Sequence, residues 1–336
     1  MKVNSIVAAG ASALALTASV LAGTAQAKSS EATISVTQVQ APLRAGGAAL
    51  TAGCNWYSRT DLCQEMNITV TLLVNKKPVG TAKFTAKHEM QLQVKNRKWK
   101  ETIGISKAQL TPQARGIRMG LNVSCGGSCS ADNHLKSHTL GSAKTGSVDY
   151  TDNVKAFKIH NTANRFTYTF TKPGFTPATV TYTTLAYRCD DMFAKKPGKT
   201  KPRQAPGCVI PKFTPTLTDM ASLPNISQGI RTIQARGGHY GKPGSGHPLH
   251  MLDDKKKEDA NRKAVCGGKS APPGSAGPSC DEYPFASTRE GGTALPAASR
   301  GITWVPLSEN RKQGGMLNSF ELKQRVLDGD AYWVSV

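Results

Sequence analysis

Apolar and polar residues alternate along much of the first two thirds of the chain, the period of strands with one buried face. Met90, Leu92 and Val94, separated by Gln91 and Gln93, show it most plainly. The β-branched and aromatic runs at 32–39, 68–74, 81–86, 166–170 and 180–187 carry the same signature. The turn-forming residues 75–80 join two of them into a predicted hairpin with Lys76 and Lys77 at its tip. These strands predict an antiparallel, sandwich-like all-β domain over 28–195.

From residue 208 the pattern changes. Ile226, Ile230 and Ile233 fall at i, i+4 and i+7, a short amphipathic helix over 225–235 that Gly237 and Gly238 end. A charged helical stretch covers 255–265. Leu317, Phe320, Gln324 and Leu327 predict the buried side of a helix over 316–327, between short strands at 302–306 and 331–336. The expectation is a two-domain chain: the β-domain, a basic Pro/Gly-rich linker at 196–207, and a small α+β domain over 208–336.

The first 27 residues stand apart. Lys2, an apolar stretch over 6–21 and Ala25-Gln26-Ala27 read as a secretory signal peptide. The rival reading, a membrane anchor, suffers from the shortness of that stretch. No other segment reaches 18 apolar residues, so no further transmembrane segment is expected. An exported chain makes disulfides from its eight cysteines. They fall into four neighbouring pairs: Cys54 with Cys63, Cys125 with Cys129, Cys189 with Cys208, and Cys266 with Cys280. Zinc is the alternative, but only Cys125 and Cys129 have ligand-like spacing.

Charge changes the picture. The chain has 43 Lys and Arg against 22 Asp and Glu, a net charge of +21. Residues 28–207 hold 26 and 10 of these, residues 208–336 hold 16 and 12. A basic surface attracts polyanions, and nucleic acid and anionic cell-wall polymers both qualify. Charge alone does not choose between them.

The candidate chemistry lies near the C-terminus. Asp281 and Glu282 are adjacent carboxylates behind Cys280, and on a strand they point to opposite faces, so at most one is expected in any cleft. Asn318 and Glu321 share a helix face. Glu321, at the margin of the buried side, needs a partner. Arg325 at i+4 is the simpler one, and a divalent cation shared with Asn318 is the other. His239, His247 and His250 lie in a Gly/Pro-rich loop, either solvated or in reach of metal or phosphate.

Several ordered motifs in this region form a recognisable set: Gly229-Ile-Arg231, His247-Pro-Leu-His250, Asn261-Arg262, Cys280-Asp-Glu-Tyr-Pro-Phe-Ala-Ser-Thr, Glu290-Gly-Gly, Glu309-Asn-Arg-Lys-Gln-Gly and Asp328-Gly-Asp330. Over about 208–336 the chain resembles the NucA/NucB family of secreted bacterial deoxyribonucleases. The resemblance implies a ββα-metal nuclease fold and a metal-dependent, sequence-non-specific endodeoxyribonuclease. It gives Asp281 the water-activating role with Glu282 as neighbour, and matches Asn310 and Arg311 to the family's Asn-Arg pair, with Arg311 on the phosphate. The metal, Mg²⁺ or Mn²⁺, falls to Glu321 first, then Asn318, with Asn310 as a further ligand. Glu309 stands where Asp often precedes that pair. The competing expectation is a non-catalytic secreted β-sandwich protein that binds a polyanion or cell wall and carries a degenerate nuclease domain. The presence of Asp281, Glu282, Asn310 and Glu321 argues against it.

Overall fold

The computed structural model describes residues 31–46 and 53–336. The expected signal peptide lies outside the described residues. The N-terminal body is one large curled sheet of 13 strands in two leaves. One leaf is a meander of Ala32–Gln40, Asp61–Val74, Lys77–Gln93, Asn96–Ile105 and Lys144–Asp152. The other holds Arg118–Ser124, Arg165–Lys172 and Phe175–Thr183. A single parallel pairing, Thr33 with Thr176, joins them. Their apolar faces meet around His88, whose ring packs against Phe166 and Tyr182 with centroids 4.4 Å away in each case.

The hairpin is tighter than its sequence suggested. Only Asn75 and Lys76 turn, with φ of 49° and 64°, the conformation of a two-residue loop whose twist suits the strands it joins. The strand after it runs without a break from Lys77 to Gln93, because even-numbered residues from Gly80 to Leu92 all face inward. Asn96–Ile105 was not visible as a strand. One of its inward positions is Glu101, which is fully buried and breaks the apolar period. His88 Nδ1 lies 2.9 Å from Glu101 Oε1, and Asn164 donates to Glu101 Oε2 at 2.7 Å, so this charge is partnered as a buried charge must be.

All four disulfides join neighbouring cysteines in sequence order. The first, Cys54 to Cys63, comes with a correction to the strand expected over 68–74. That strand starts earlier, at Asp61, and so takes in Cys63, which is buried within the sheet opposite Trp56. The bridge from Cys63 therefore ties the segment at Cys54 onto the sheet, rather than closing a surface loop ahead of it. Zinc is excluded as the reason for Cys125 and Cys129, which are bonded to each other. Cys189 and Cys208 lie opposite one another in the paired strands Tyr187–Asp190 and Gly207–Val209. Residues 191–206 therefore leave the β body and return to it, and the chain crosses to its second apolar cluster after Ile210.

That second cluster gathers Leu217, Ile226, Ile230, Ile233, Phe320 and Tyr332. Three helices surround it: α1 (Pro224–Gln234), α2 (Lys255–Cys266) and α3 (Leu307–Gln324). A hairpin of Ser279–Tyr283 with Gly301–Val305 precedes α3. The expected start of α3 was nine residues late, since Gly314 and Gly315 lie inside the helix. Gly229 of α1 is required by packing, because a Cβ there would overlap the Thr303 hydroxyl of the hairpin. Glu309 fits α1 as well. Its carboxylate accepts from the backbone N–H groups of Asn225 and Ile226 at 3.1 and 3.3 Å, a favourable place for negative charge.

The C-terminus of α3 is held by arginines. Arg325, with φ of 48°, ends the helix. The carbonyls of Gln324 and Arg325 accept from Arg59 at 2.7 and 2.9 Å, and that of Arg325 also accepts from Arg188 at 2.7 Å. Asp330 bridges the same two arginines at 2.8 and 2.7 Å. Burial would raise its carboxyl, but Arg188 and Arg59 more than offset this and hold it below the usual carboxylate range. Arg325 itself turns back to Asp190, 2.7 Å away, both side chains fully buried. Arg325→Ala removes the closer of the two cations that pair with the buried Asp190, leaving only Arg188 at 3.3 Å. It should lower the free energy of unfolding by about 3–5 kcal/mol, read from urea titrations, and Asp190→Asn in the same chain should recover part of that loss.

Candidate active site

The hairpin, α2, α3 and the segment at Met251–Asp253 surround a cavity of about 610 Å³. Asp281, Glu282, Asn310, Arg311, Asn318 and Glu321 all line it. Strand alternation does turn the two adjacent acids apart, Asp281 towards Gln313 of α3 and Glu282 towards Arg262 of α2. The cavity nonetheless reaches both, which corrects the expectation that only one would face a cleft. Both are buried, at 5% and 6% exposure. The disulfide from Cys266 at the end of α2 to Cys280 fixes the strand beneath them. A bridge closing a loop of this size contributes about 3 kcal/mol in the chain-entropy account.

Asp281 has the environment of a carboxyl that shares its proton near neutrality. Burial pushes it up to about 7; the Gln313 amide and Arg262 pull it down, and Glu282 and Glu309 push it further up. Burial also raises Glu282, against the opposing Arg262. Arg262 Nε stands 3.4 Å from Glu282 Oε1, too poorly aligned to make a hydrogen bond, so that buried oxygen has no hydrogen-bond partner.

Asn310 donates both amide hydrogens to the hairpin, to Ser279 Oγ at 2.8 Å and the Cys280 carbonyl at 3.1 Å. Its amide oxygen is thereby left for a ligand beside Asp281. Arg311 is exposed at the cavity wall, with no carboxylate within ion-pair distance among the described residues. Glu321 and Asn318 are differently engaged. Arg203, from the loop at 191–206, donates to Glu321 Oε1 and Oε2 at 3.0 and 2.6 Å and to Asn318 Oδ1 at 2.7 Å. Glu321 thus pairs with Arg203 rather than Arg325, an ion pair across 118 residues that no helical spacing reveals. A helix rises 1.5 Å per residue, so Glu321 lies about 12 Å along α3 from Gln313.

Carboxylate and amide oxygens suit a hard divalent cation. Among the described residues no three His, Cys, Asp or Glu side chains gather closely enough to cage one. The donors fit an ion that keeps water and takes substrate oxygens as ligands, as Mg²⁺ does. The loop histidines take no part. His239 and His247 bond the carbonyls of Gln234 and Gly238, and His250 Nδ1 lies 2.7 Å from Glu290 Oε1. Glu290, unassigned on sequence, is the clamp that holds this loop, since it also accepts from the His250 backbone N–H.

The raised Asp281 carboxyl makes a testable demand on stability. Between pH 4 and 7 the folded chain keeps a proton that the unfolded chain has released. Stability therefore falls as pH rises through that window. Asp281→Asn removes the cost of charging the site. In EDTA it should leave unfolding free energy near that of the unaltered protein at pH 4.5 and raise it by a few kcal/mol at pH 8.5, measured by urea unfolding at the two pH values.

A search of curated proteins and a search of solved structures each returned no match. Residues 244–335, which hold α2, the hairpin, α3 and every residue of the cavity wall, match the family model described as Deoxyribonuclease NucA/NucB, the family this part of the chain resembles in its motifs.

Proposed function

We propose that the segment 208–336 is a metal-dependent endodeoxyribonuclease that hydrolyses DNA phosphodiester bonds without sequence preference, in a chain exported by its N-terminal signal peptide. The family match supports a nuclease acting on DNA, and four disulfides suit an oxidising compartment. Among the described residues no helix is long and apolar enough to cross a membrane. The observation that carries the reading is Asp281, a buried carboxyl raised to about 7 on the wall of a cavity that also holds an amide oxygen and a free guanidinium.

In this reading Asp281 is the general base. Its raised proton affinity lets it take a proton from water while half of it is ionised near pH 7. Arg311 pairs with the phosphate and with the charge that grows on it. Asn310 offers its oxygen to the divalent ion. Bound there, Mg²⁺ or Mn²⁺ would supply charge stabilisation to the phosphate and leaving oxygen. The hairpin followed by α3 is the order of a ββα-metal unit, with Asn310 as the helix ligand nearest Asp281. Glu321 and Asn318, the ligands expected first, lie further along α3 and hold Arg203. Phosphate contacts carry no base information, hence the low sequence preference. No feature of the β body selects a cell-wall polymer over another polyanion, since positive charge attracts both alike.

Digestion of supercoiled plasmid tests the reading. The protein should nick it with Mg²⁺ or Mn²⁺ and stop in EDTA. Asp281→Asn should lose at least about 10³-fold in rate while keeping its fold by circular dichroism. The rate should climb about tenfold per pH unit below 7 and level off above it. Undiminished cleavage by the variant would remove Asp281 from the reaction.

A further inference from the structure

We infer that the loop at 191–206 is a DNA-backbone arm, positioned beside the cavity by Arg203 and carrying the substrate past the end of α3. The inference rests on the nuclease reading and names a surface outside the matched residues 244–335.

The loop is built to be held at its base and free at its tip. The Cys189–Cys208 bridge closes its root. Arg203 N–H donates to the Phe193 carbonyl at 2.9 Å, which narrows the neck to those two residues. Two guanidinium groups approach the Phe193 ring, Arg203 at 5.1 Å and Arg325 at 5.3 Å from its centroid. Gln204 is buried and donates to the carbonyls of Val94 and Leu322 at 3.1 and 3.0 Å. The neck is thus fastened both to the β body and to α3.

The tip, 195–202, contains Lys195, Lys196, Lys199 and Lys201 and no acid. All four are exposed, and none is paired with a carboxylate among the described residues. Eight residues leaving and returning reach at most about 13 Å from the neck. The neck itself rests on Glu321 and Asn318, which line the cavity. The lysines therefore stand within about 13 Å of a neck that is bonded to two cavity-lining residues near the end of α3. A DNA strand rises about 3.4 Å per nucleotide. The ~12 Å along α3 from Gln313 to Glu321, where the neck is bonded, is then about four nucleotides, and the arm covers a similar length beyond. What sets these four lysines apart is their place, on a short tip whose neck is bonded to α3.

Binding to a duplex oligonucleotide in EDTA, where no cleavage occurs, decides the matter. Each phosphate neutralised contributes about 0.9 to the slope of log K against log salt. Replacing Lys195, Lys196, Lys199 and Lys201 by Gln should reduce that slope by at least about 2. The control, Lys76, Lys77, Lys83 and Lys98→Gln on the β body, removes the same charge and should change it by less than about 1. A smaller loss for the arm variant, or an equal loss for both, overturns the inference while plasmid cleavage by the unaltered protein still stands. Failure of the unaltered protein to cut plasmid overturns the nuclease reading and this inference with it. Arg203→Ala, which keeps the lysines and frees the neck, should weaken binding at least threefold at 50 mM salt; unchanged affinity overturns the positioning role of Arg203.

Discussion

The rest of the structure depends on how the C-terminus of α3 is held. The last turn of a helix leaves carbonyls without partners, and cations are stabilising there. In this chain two of those carbonyls accept from Arg59 and Arg188, both contributed by the β body. Arg325 reverses the exchange by reaching from the helix end to Asp190 of the β body. Five charges are taken out of water, which is unfavourable unless every one is matched. They are matched in alternation: Asp330 lies between Arg59 and Arg188, and Asp190 between Arg188 and Arg325. The interaction is thus directional where an apolar contact would tolerate rotation of the helix. One orientation of α3 satisfies all of these donors, and that orientation points Asn310 and Gln313 at the hairpin.

The other end of α3 works on the opposite principle. Asp281 and Glu282 are buried side by side with incomplete pairing. Each costs stability when charged, and the fold sustains the cost through the Cys266–Cys280 bridge and the close seating of α1 on the hairpin at Gly229. A fully paired carboxylate would be stable and inert. The same helix therefore joins a satisfied electrostatic network at one end to an unsatisfied one at the other, the kind of imbalance that marks functional sites.

Local patterns were legible in the sequence and long-range polar ones were not. Ile226, Ile230 and Ile233 gave α1 to within a residue, and neighbouring cysteines paired as spacing suggested, because both depend on a few adjacent positions. The start of the strand at Asp61 was missed because Gln64, Glu65 and Asn67 interrupt the apolar run around Cys63. Asn96–Ile105 escaped because the inward Glu101 imitates an exposed position. The nine-residue error in α3 came from Gly314 and Gly315, which penalise a helix on propensity and are overridden by packing. At the site, Asp281 stood out through its motif. Arg203 did not, since its partners lie 115 and 118 residues away and nothing local marks it apart from other basic residues of a Pro/Gly-rich stretch. Asp330 was visible as part of Asp-Gly-Asp, but its work is to join the two bodies.

The distribution of charge follows from the same geometry. Most of the excess lies before residue 208, in a body that holds none of the cavity wall. Three of its arginines, Arg59, Arg188 and Arg203, are committed to the C-terminal half of α3. A nuclease body close to neutral has little pull of its own on a polyanion, because attraction grows with the phosphates neutralised. Seating a strongly basic body against the end of α3 adds positive charge without placing more cations near Asp281, where they would lower its raised carboxyl. In the proposed reading that separation keeps the charge that attracts DNA apart from the Asp281 carboxyl, a physical reason for the two bodies to be joined at α3.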